Sequence, residues 1–154
     1  MELINPADHL DKVAELFDQG MAFDKVIGLK VEQYDPTGAK LTFVAKPELI
    51  GNPIHKILHG GVIATALDVA GAAVTFAAAL ARMPAMPEQQ LNEKLARMST
   101  IDLRVDYLRP GWGKQFTVTS HIIRTGTKVA VARMELHNEQ DTHIAFGTGT
   151  YMVG

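Results

Sequence analysis

Residues Val62–Ala81 read VIATALDVAGAAVTFAAALA; nine of the twenty are alanine, and Asp68 carries the single charge. Twenty residues is also the length of a membrane span. Against that reading, alanine is a weak hydrophobe, a mid-span aspartate costs roughly 2.5–3.5 kcal/mol on insertion scales, and only Arg82 flanks the run closely. As a soluble element the run predicts a helix that is apolar on every side and therefore buried on every side. Alanine is the best helix former, and its small side chain lets neighbouring backbones close in. Gly71 costs about 1 kcal/mol relative to alanine in mid-helix, so it is expected to mark a point of very close contact. Pro84 and Pro87 should stop the helix near Arg82.

Outward from this helix, the chain divides into short, well-punctuated elements. Ala7–Gln19 predicts an amphipathic helix with Leu10, Val13, Leu16 and Phe17 on one face and Gly20 as its terminator. Phe23–Ile27 reads as at most one turn of helix. Leu29–Tyr34 and Ala39–Lys46 predict two strands around the turn Asp35-Pro36-Thr37-Gly38. Pro47–Leu58 reads as a loop, and Glu88–Met98 as a second short helix with the stripe Leu91, Leu95, Met98. In Ile101–Arg109, Ile101, Leu103, Val105 and Tyr107 alternate with Asp102, Arg104 and Asp106, a half-buried strand. Gln115–Arg124, Lys128–His137 and His143–Val153 are further strands, with Gly126-Thr127 a hairpin connection. Short turns between the last four strands predict an antiparallel meander. The expected architecture is α+β, a six-stranded curved sheet covering one long central helix.

The 154 residues fit one domain, spanning 1–154 with 1–28 as an N-terminal helical segment. Apolar residues at 47% and charged residues at 21% argue against disorder. A formal charge of −2 disfavours a nucleic-acid partner. The absence of cysteine removes disulfides, thiolate metal sites and thiol nucleophiles. MELINPADHLDK has neither a basic nor an apolar signal region, so the expected location is cytoplasmic, with no membrane span.

Asp68 is the most informative residue. A carboxylate on an apolar helix must be paired, protonated or at a water-accessible site; it either takes part in chemistry or is simply held by a neighbouring hydroxyl. The second feature is Leu58-His59-Gly60-Gly61 at the helix start. Paired glycines there leave backbone N–H groups free to hold an anion or a developing oxyanion, although such glycines also serve as a plain tight turn. Gly60 and Asp68 are eight residues apart on one helix, about 12 Å along the axis. If they serve one small reacting carbonyl they must come from two chains related by a two-fold axis, which predicts a homodimer. The histidines are scattered, with no HExxH pattern, so no metal site is expected. Ser99 and Ser120, the only serines, lie in no GxSxG setting.

ILHGGVIATALDVAG, followed by STIDLRVDYLRPG and GTKVAVARMEL, resembles the PaaI-type acyl-CoA thioesterases of the hotdog superfamily, in particular the YigI-like branch. The resemblance runs from about Leu29 to the C-terminus. It implies the hotdog fold, assembly as a homodimer and often a dimer of dimers, and hydrolysis of acyl-CoA, with no cofactor because coenzyme A is part of the substrate; the apolar, alanine-rich lining favours a fatty acyl group of medium or long chain, with an aromatic acyl group left open. It further implies that the Gly60 N–H holds the oxyanion and that Asp68 of the facing subunit acts as general base or as nucleophile. Thr100 would help place the water, His59 would orient the loop, and Asn52 would contact the thioester. Gly61, Arg124, Gly126, Thr127 and Lys128 would bind substrate, the last four on a hairpin near the coenzyme A phosphates. Two other readings stay open on the same fold: a hydratase or dehydratase, which usually needs a histidine beside its carboxylate, and a non-catalytic acyl-CoA-binding module.

Overall fold

The computed structural model describes residues 2–154. The alanine-rich run forms α3, Gly60–Leu80. Fourteen of its residues, among them Leu67, Ala70, Val74 and Leu80, are buried. They pack on the strands β6 (Gln115–Thr125), β7 (Val129–Asn138) and β8 (His143–Met152). By length and composition α3 could cross a membrane, but it is a core helix of the protein. A face of small or polar residues, Gly61, Ala64, Thr65, Asp68 and Ala72, is left half-buried or exposed.

Gly71 is the close contact. A Cβ there would collide with the Tyr151 hydroxyl and lie 2.9 Å from the Met134 sulfur. Gly149 makes room for the same ring, because its Cβ would also run into Tyr151. With both positions reduced to hydrogen, the buried Tyr151 of β8 reaches the backbone of α3. The Ser120 hydroxyl on β6 donates to the Ala70 carbonyl at 2.7 Å, a second polar tie between helix and sheet inside an otherwise apolar core.

β1 (Lys30–Tyr34) and β2 (Gly38–Val44) form the predicted hairpin. Its turn is set by Asp35, whose Oδ1 accepts from the Thr37 hydroxyl and from the N–H of Thr37 at 2.8 Å and of Gly38 at 3.1 Å; the Thr37 hydroxyl first, then the Thr37 N–H and the Gln33 amide, hold its carboxyl at about 2. With β5 spanning Ser99–Tyr107, the six strands lie in the order β1-β2-β6-β7-β8-β5, all neighbours antiparallel. The last four strands are therefore not a simple meander. β6, β7 and β8 are; β5 (Ser99–Tyr107) pairs with β8, not with β6, and forms a sheet edge. Pro110-Gly111-Trp112-Gly113 is not a hairpin turn but a crossing around the end of the sheet. The N–H groups of Leu108 and Arg109 are held by the Ile144 carbonyl, and Asn138 Nδ2 donates to the Trp112 carbonyl.

Two other segments differ from expectation. Pro47–Leu58 is not wholly loop: a 3-10 turn (Pro47–Leu49) leads into a small hairpin of β3 (Ile50–Asn52) and β4 (Ile57–Leu58). Trp112 Nε1 fastens it by donating to the His55 carbonyl. The N-terminal helix is composite: a 3-10 turn (Pro6–His9), then α1 (Leu10–Glu15), then a π turn (Leu16–Gly20). Val13 and Phe17 are buried as predicted, whereas Leu16 is 44% exposed. Phe17 meets Phe76 of α3 edge-on at 5.5 Å. A short helix α2 (Ala22–Ile27) follows, closed by Gly28 in the left-handed region at φ 82°. After α3, the connection to β5 carries α4 (Glu88–Arg97).

Candidate functional site

His59 is the N-cap of α3. Its Nδ1 accepts from the Gly61 N–H at 2.8 Å, so that nitrogen is unprotonated, and one of the helix's first N–H groups is satisfied. The His59 carbonyl accepts from Val62 and Ile63, and its N–H donates to Leu49. The Gly60 N–H has no hydrogen-bond partner among the described residues. Tyr107 of β5 donates to the Gly60 carbonyl at 2.7 Å, fixing the peptide plane at the helix start. Asn52, His59 and Gly60 line one open cleft of about 520 Å³. The Asn52 Oδ1 is spent on its own turn, accepting from Ile54 and His55.

Asp68 lies two turns further on. Its Oδ1 accepts from the Thr100 hydroxyl at 2.9 Å and the Tyr151 hydroxyl at 3.2 Å. Tyr151 also donates to the Asp68 carbonyl at 3.1 Å. Burial, reinforced by the Asp68 charge, raises the Tyr151 phenol above its ordinary range, so it is a fixed donor. The eight residues between Gly60 and Asp68 run through unbroken helix, and the two groups stay about 12 Å apart along the axis. The chain thus carries two separate hydrogen-bonded clusters, one at each end of β5: Thr100 with Asp68, and Tyr107 with Gly60.

Gly126 and Thr127 form the β6–β7 turn, closed by the Gly126 N–H donating to the Val129 carbonyl at 2.8 Å. They line a third region, a cleft beside the end of α3. Arg124 and Lys128 are exposed on the same hairpin but do not line that cleft. The scattered histidines are partly gathered by the sheet register. His137 stands opposite His143 with rings stacked at 4.5 Å and 10°, and Glu135 is close by. One ligand atom from each of Glu135, His137 and His143 lies within 4.8 Å of the others, a grouping that the scatter of these residues in the sequence does not show.

The Thioesterase superfamily domain matches residues 55–145, more than half of the chain. The chain belongs to the thioesterase superfamily. The medium/long-chain acyl-CoA thioesterase YigI of Escherichia coli K12 is 51% identical over 145 residues, 94% of each chain. A crystal structure of a protein from Shewanella oneidensis related to the thioesterase superfamily matches with a TM-score of 0.91 at 53% identity, covering 97% of both chains. The E. coli PaaI protein from the phenylacetic acid degradation operon, at 19% identity, shares the fold with a TM-score of 0.76 over 96% of this chain and 95% of that one. The helix wrapped by a six-stranded antiparallel sheet is the hotdog fold of this superfamily.

Two residues around Asp68 escaped the reading of the sequence. Tyr151 is one; the alternation of the last strand puts it on the inner face, but only the glycines opposite it reveal its reach. Asp24 on α2 is the other. It is 3% exposed, and its Oδ2 has no partner among the described residues. Burial pushes its carboxyl up to about 6, and the charge of Asp68 adds to the rise. The charge of Asp68 is thus felt at Asp24.

Proposed function

We propose that the protein hydrolyses medium- to long-chain acyl-CoA to the free acid and coenzyme A in a site shared by two copies of the chain. The observation that carries this reading is the pairing, on one apolar helix, of an unengaged N–H at Gly60 with a hydroxyl-held carboxylate at Asp68. The chain length and the thioester come from the E. coli relative, an acyl-CoA thioesterase half identical to this chain over nearly its whole length.

The Gly60 N–H, at the positive end of α3, polarises the thioester carbonyl and holds the oxyanion as it forms. Asp68 from the facing subunit either takes a proton from a water that attacks the carbonyl carbon or attacks that carbon itself. In the first case the new C–O bond forms, the C–S bond breaks, and the proton held by Asp68 passes to the leaving thiolate. In the second, the bond from the Asp68 carboxylate to the acyl carbon forms as the C–S bond breaks and the thiolate leaves; water then cleaves the mixed anhydride, which restores the carboxylate and releases the acid, and the proton from that water passes to the thiolate. Thr100 and Tyr151 occupy Oδ1, which fixes the carboxylate and leaves Oδ2 towards the water. His59 holds the first turn of the helix through Gly61, and the Asn52 amide, lining the same cleft, contacts the thioester. Gly126, Thr127, Lys128 and Arg124 face the nucleotide end of the substrate. A thioester is already activated, so a carboxylate and an oxyanion donor suffice for the step.

Geometry supports the shared site. β5 is a free sheet edge, with Ile101 51% and Tyr107 52% exposed. An antiparallel pairing of two β5 edges about a two-fold axis near the middle of the strand would bring the Thr100 end of one strand to the Tyr107 end of the other. The Asp68 half-site of one chain then meets the Gly60 half-site of the other. Midway between Gly60 and Asp68 lies Ala64, on the uncovered face of α3, where small side chains let two helices approach.

The test is release of free thiol from acyl-CoA of increasing chain length. The wild type is expected to turn over medium and long chains, and Asp68→Asn to lose at least about 100-fold in kcat. Undiminished turnover by Asp68→Asn would remove Asp68 from the chemistry.

A further inference from the structure

A cleft of about 380 Å³ opens between the end of α3, the α4 connection and the β6–β7 turn. That is ample for part of a nucleotide. Arg82, just past the end of α3, and Lys94 on α4 both line it, together with Gln90, Met86, Gly126 and Thr127. Gln90 and Lys94 are four residues apart on α4 and so share one helix face. No acidic side chain lines the cleft. Gly154 lies on its wall, and neither cation forms an ion pair among the described residues.

The cleft is braced rather than loose. Arg82 Nη1 donates to the Thr125 carbonyl at 2.6 Å, tying the guanidinium to the residue before the turn. That bond uses one of five donors and leaves the others for a ligand. The backbone pairing of Met86 with Ile4, N–H to carbonyl in both directions, anchors the connection that carries α4. Two unpaired cations, an amide and a buried methionine floor suit a ligand with phosphate groups next to a flat apolar ring.

We infer that this cleft is the nucleotide-phosphate subsite for coenzyme A, and that Arg82 and Lys94 are its phosphate-binding residues. The inference rests on the acyl-CoA reading above and extends it from the β6–β7 turn to α4. The distance agrees. From Asp68 to Leu80 is twelve residues of helix, about 18 Å, a span that the extended pantetheine arm between thioester and diphosphate covers. α4 then has a purpose: it brings Lys94 across from Arg82 and closes the cleft.

The experiment compares wild type, Arg82→Gln, Lys94→Gln, the double variant and Lys94→Arg, each checked for folding by its thermal melt. Equilibrium binding of coenzyme A and of adenosine 3′,5′-bisphosphate is measured by calorimetry at low and high salt. In parallel, kcat/KM is measured for an acyl-CoA and for the S-acyl-pantetheine that lacks the nucleotide. The expected result is binding weakened about tenfold in each single variant and more in the double, largely retained in Lys94→Arg, and steeply salt-dependent in the wild type. The preference for acyl-CoA over S-acyl-pantetheine should fall by about the same factor. Binding by the double variant as tight as by the wild type, no binding of either nucleotide by the wild type, or equal losses on both thioesters would overturn the assignment. If the wild type cleaves neither thioester, the thioesterase reading fails, and the calorimetry still decides whether the cleft takes the nucleotide.

Discussion

A carboxylate closed off from water with an unpaired oxygen resists ionisation, and Asp24 is in that position. Its unfolded value is near 4 and its folded value about 6. Below pH 4 both states are protonated and the site costs nothing. Between pH 4 and 6 the unfolded chain ionises first, so the folded state loses stability as pH rises, and above 6 the penalty is constant. Asp24→Asn removes it. Urea melts are expected to show the advantage of Asp24→Asn over wild type growing by about 2 kcal/mol from pH 4 to pH 7.5; an advantage equal at both pH values would refute the shift. The contrast with Asp68 explains what a sequence reveals at this scale. Asp68 is legible because nineteen apolar or small neighbours leave it nowhere to hide. Asp24 sits beside Lys25 in a six-residue helix, too short for a periodicity to emerge. Its pattern is even inverted: Phe23 is 61% and Val26 54% exposed while the aspartate is buried. Only the packing of α2 against the rest of the fold decides that.

α3 depends on a single missing methyl. Gly71→Ala would gain about 1 kcal/mol of helix propensity, but its Cβ lands on the Tyr151 hydroxyl and the Met134 sulfur. Tyr151 is fully buried and cannot swing away. Overpacking of this kind costs about 1–3 kcal/mol, and the displaced tyrosine also loses its bonds to Asp68. A lower melting temperature is therefore expected, with reduced kcat; a variant that melts higher would mean that the contact is not tight. The helix itself was legible because its residues are apolar all round, glycines open it and prolines follow it. β5 was legible as a strand but not as a neighbour of β8, since pairing across forty-odd residues leaves no local trace and Pro110–Gly113 looks like a hairpin turn. β3 and β4, three and two residues long, are too short to show alternation.

At the scale of the whole molecule, the claim is that one chain holds two halves of different sites. The separation of Gly60 and Asp68 along a helix was readable from residue count alone, whereas the β5 edge that would join two copies came from the sheet order. Gly60→Pro gives a precise tool. Gly60 is the first residue of α3, where proline is well tolerated, and His59 already has the extended backbone, φ −62° and ψ 135°, that suits a residue before proline. The substitution deletes only the N–H assigned to the oxyanion. Gly60→Pro and Asp68→Asn, each expected to be nearly inactive alone, are co-expressed with different tags, and thiol release from a long-chain acyl-CoA is measured. Random pairing puts half the protein in mixed dimers, each with one intact site, so activity should return to about a quarter of the wild-type level. A mixture no more active than its two parents would contradict a site built from two chains.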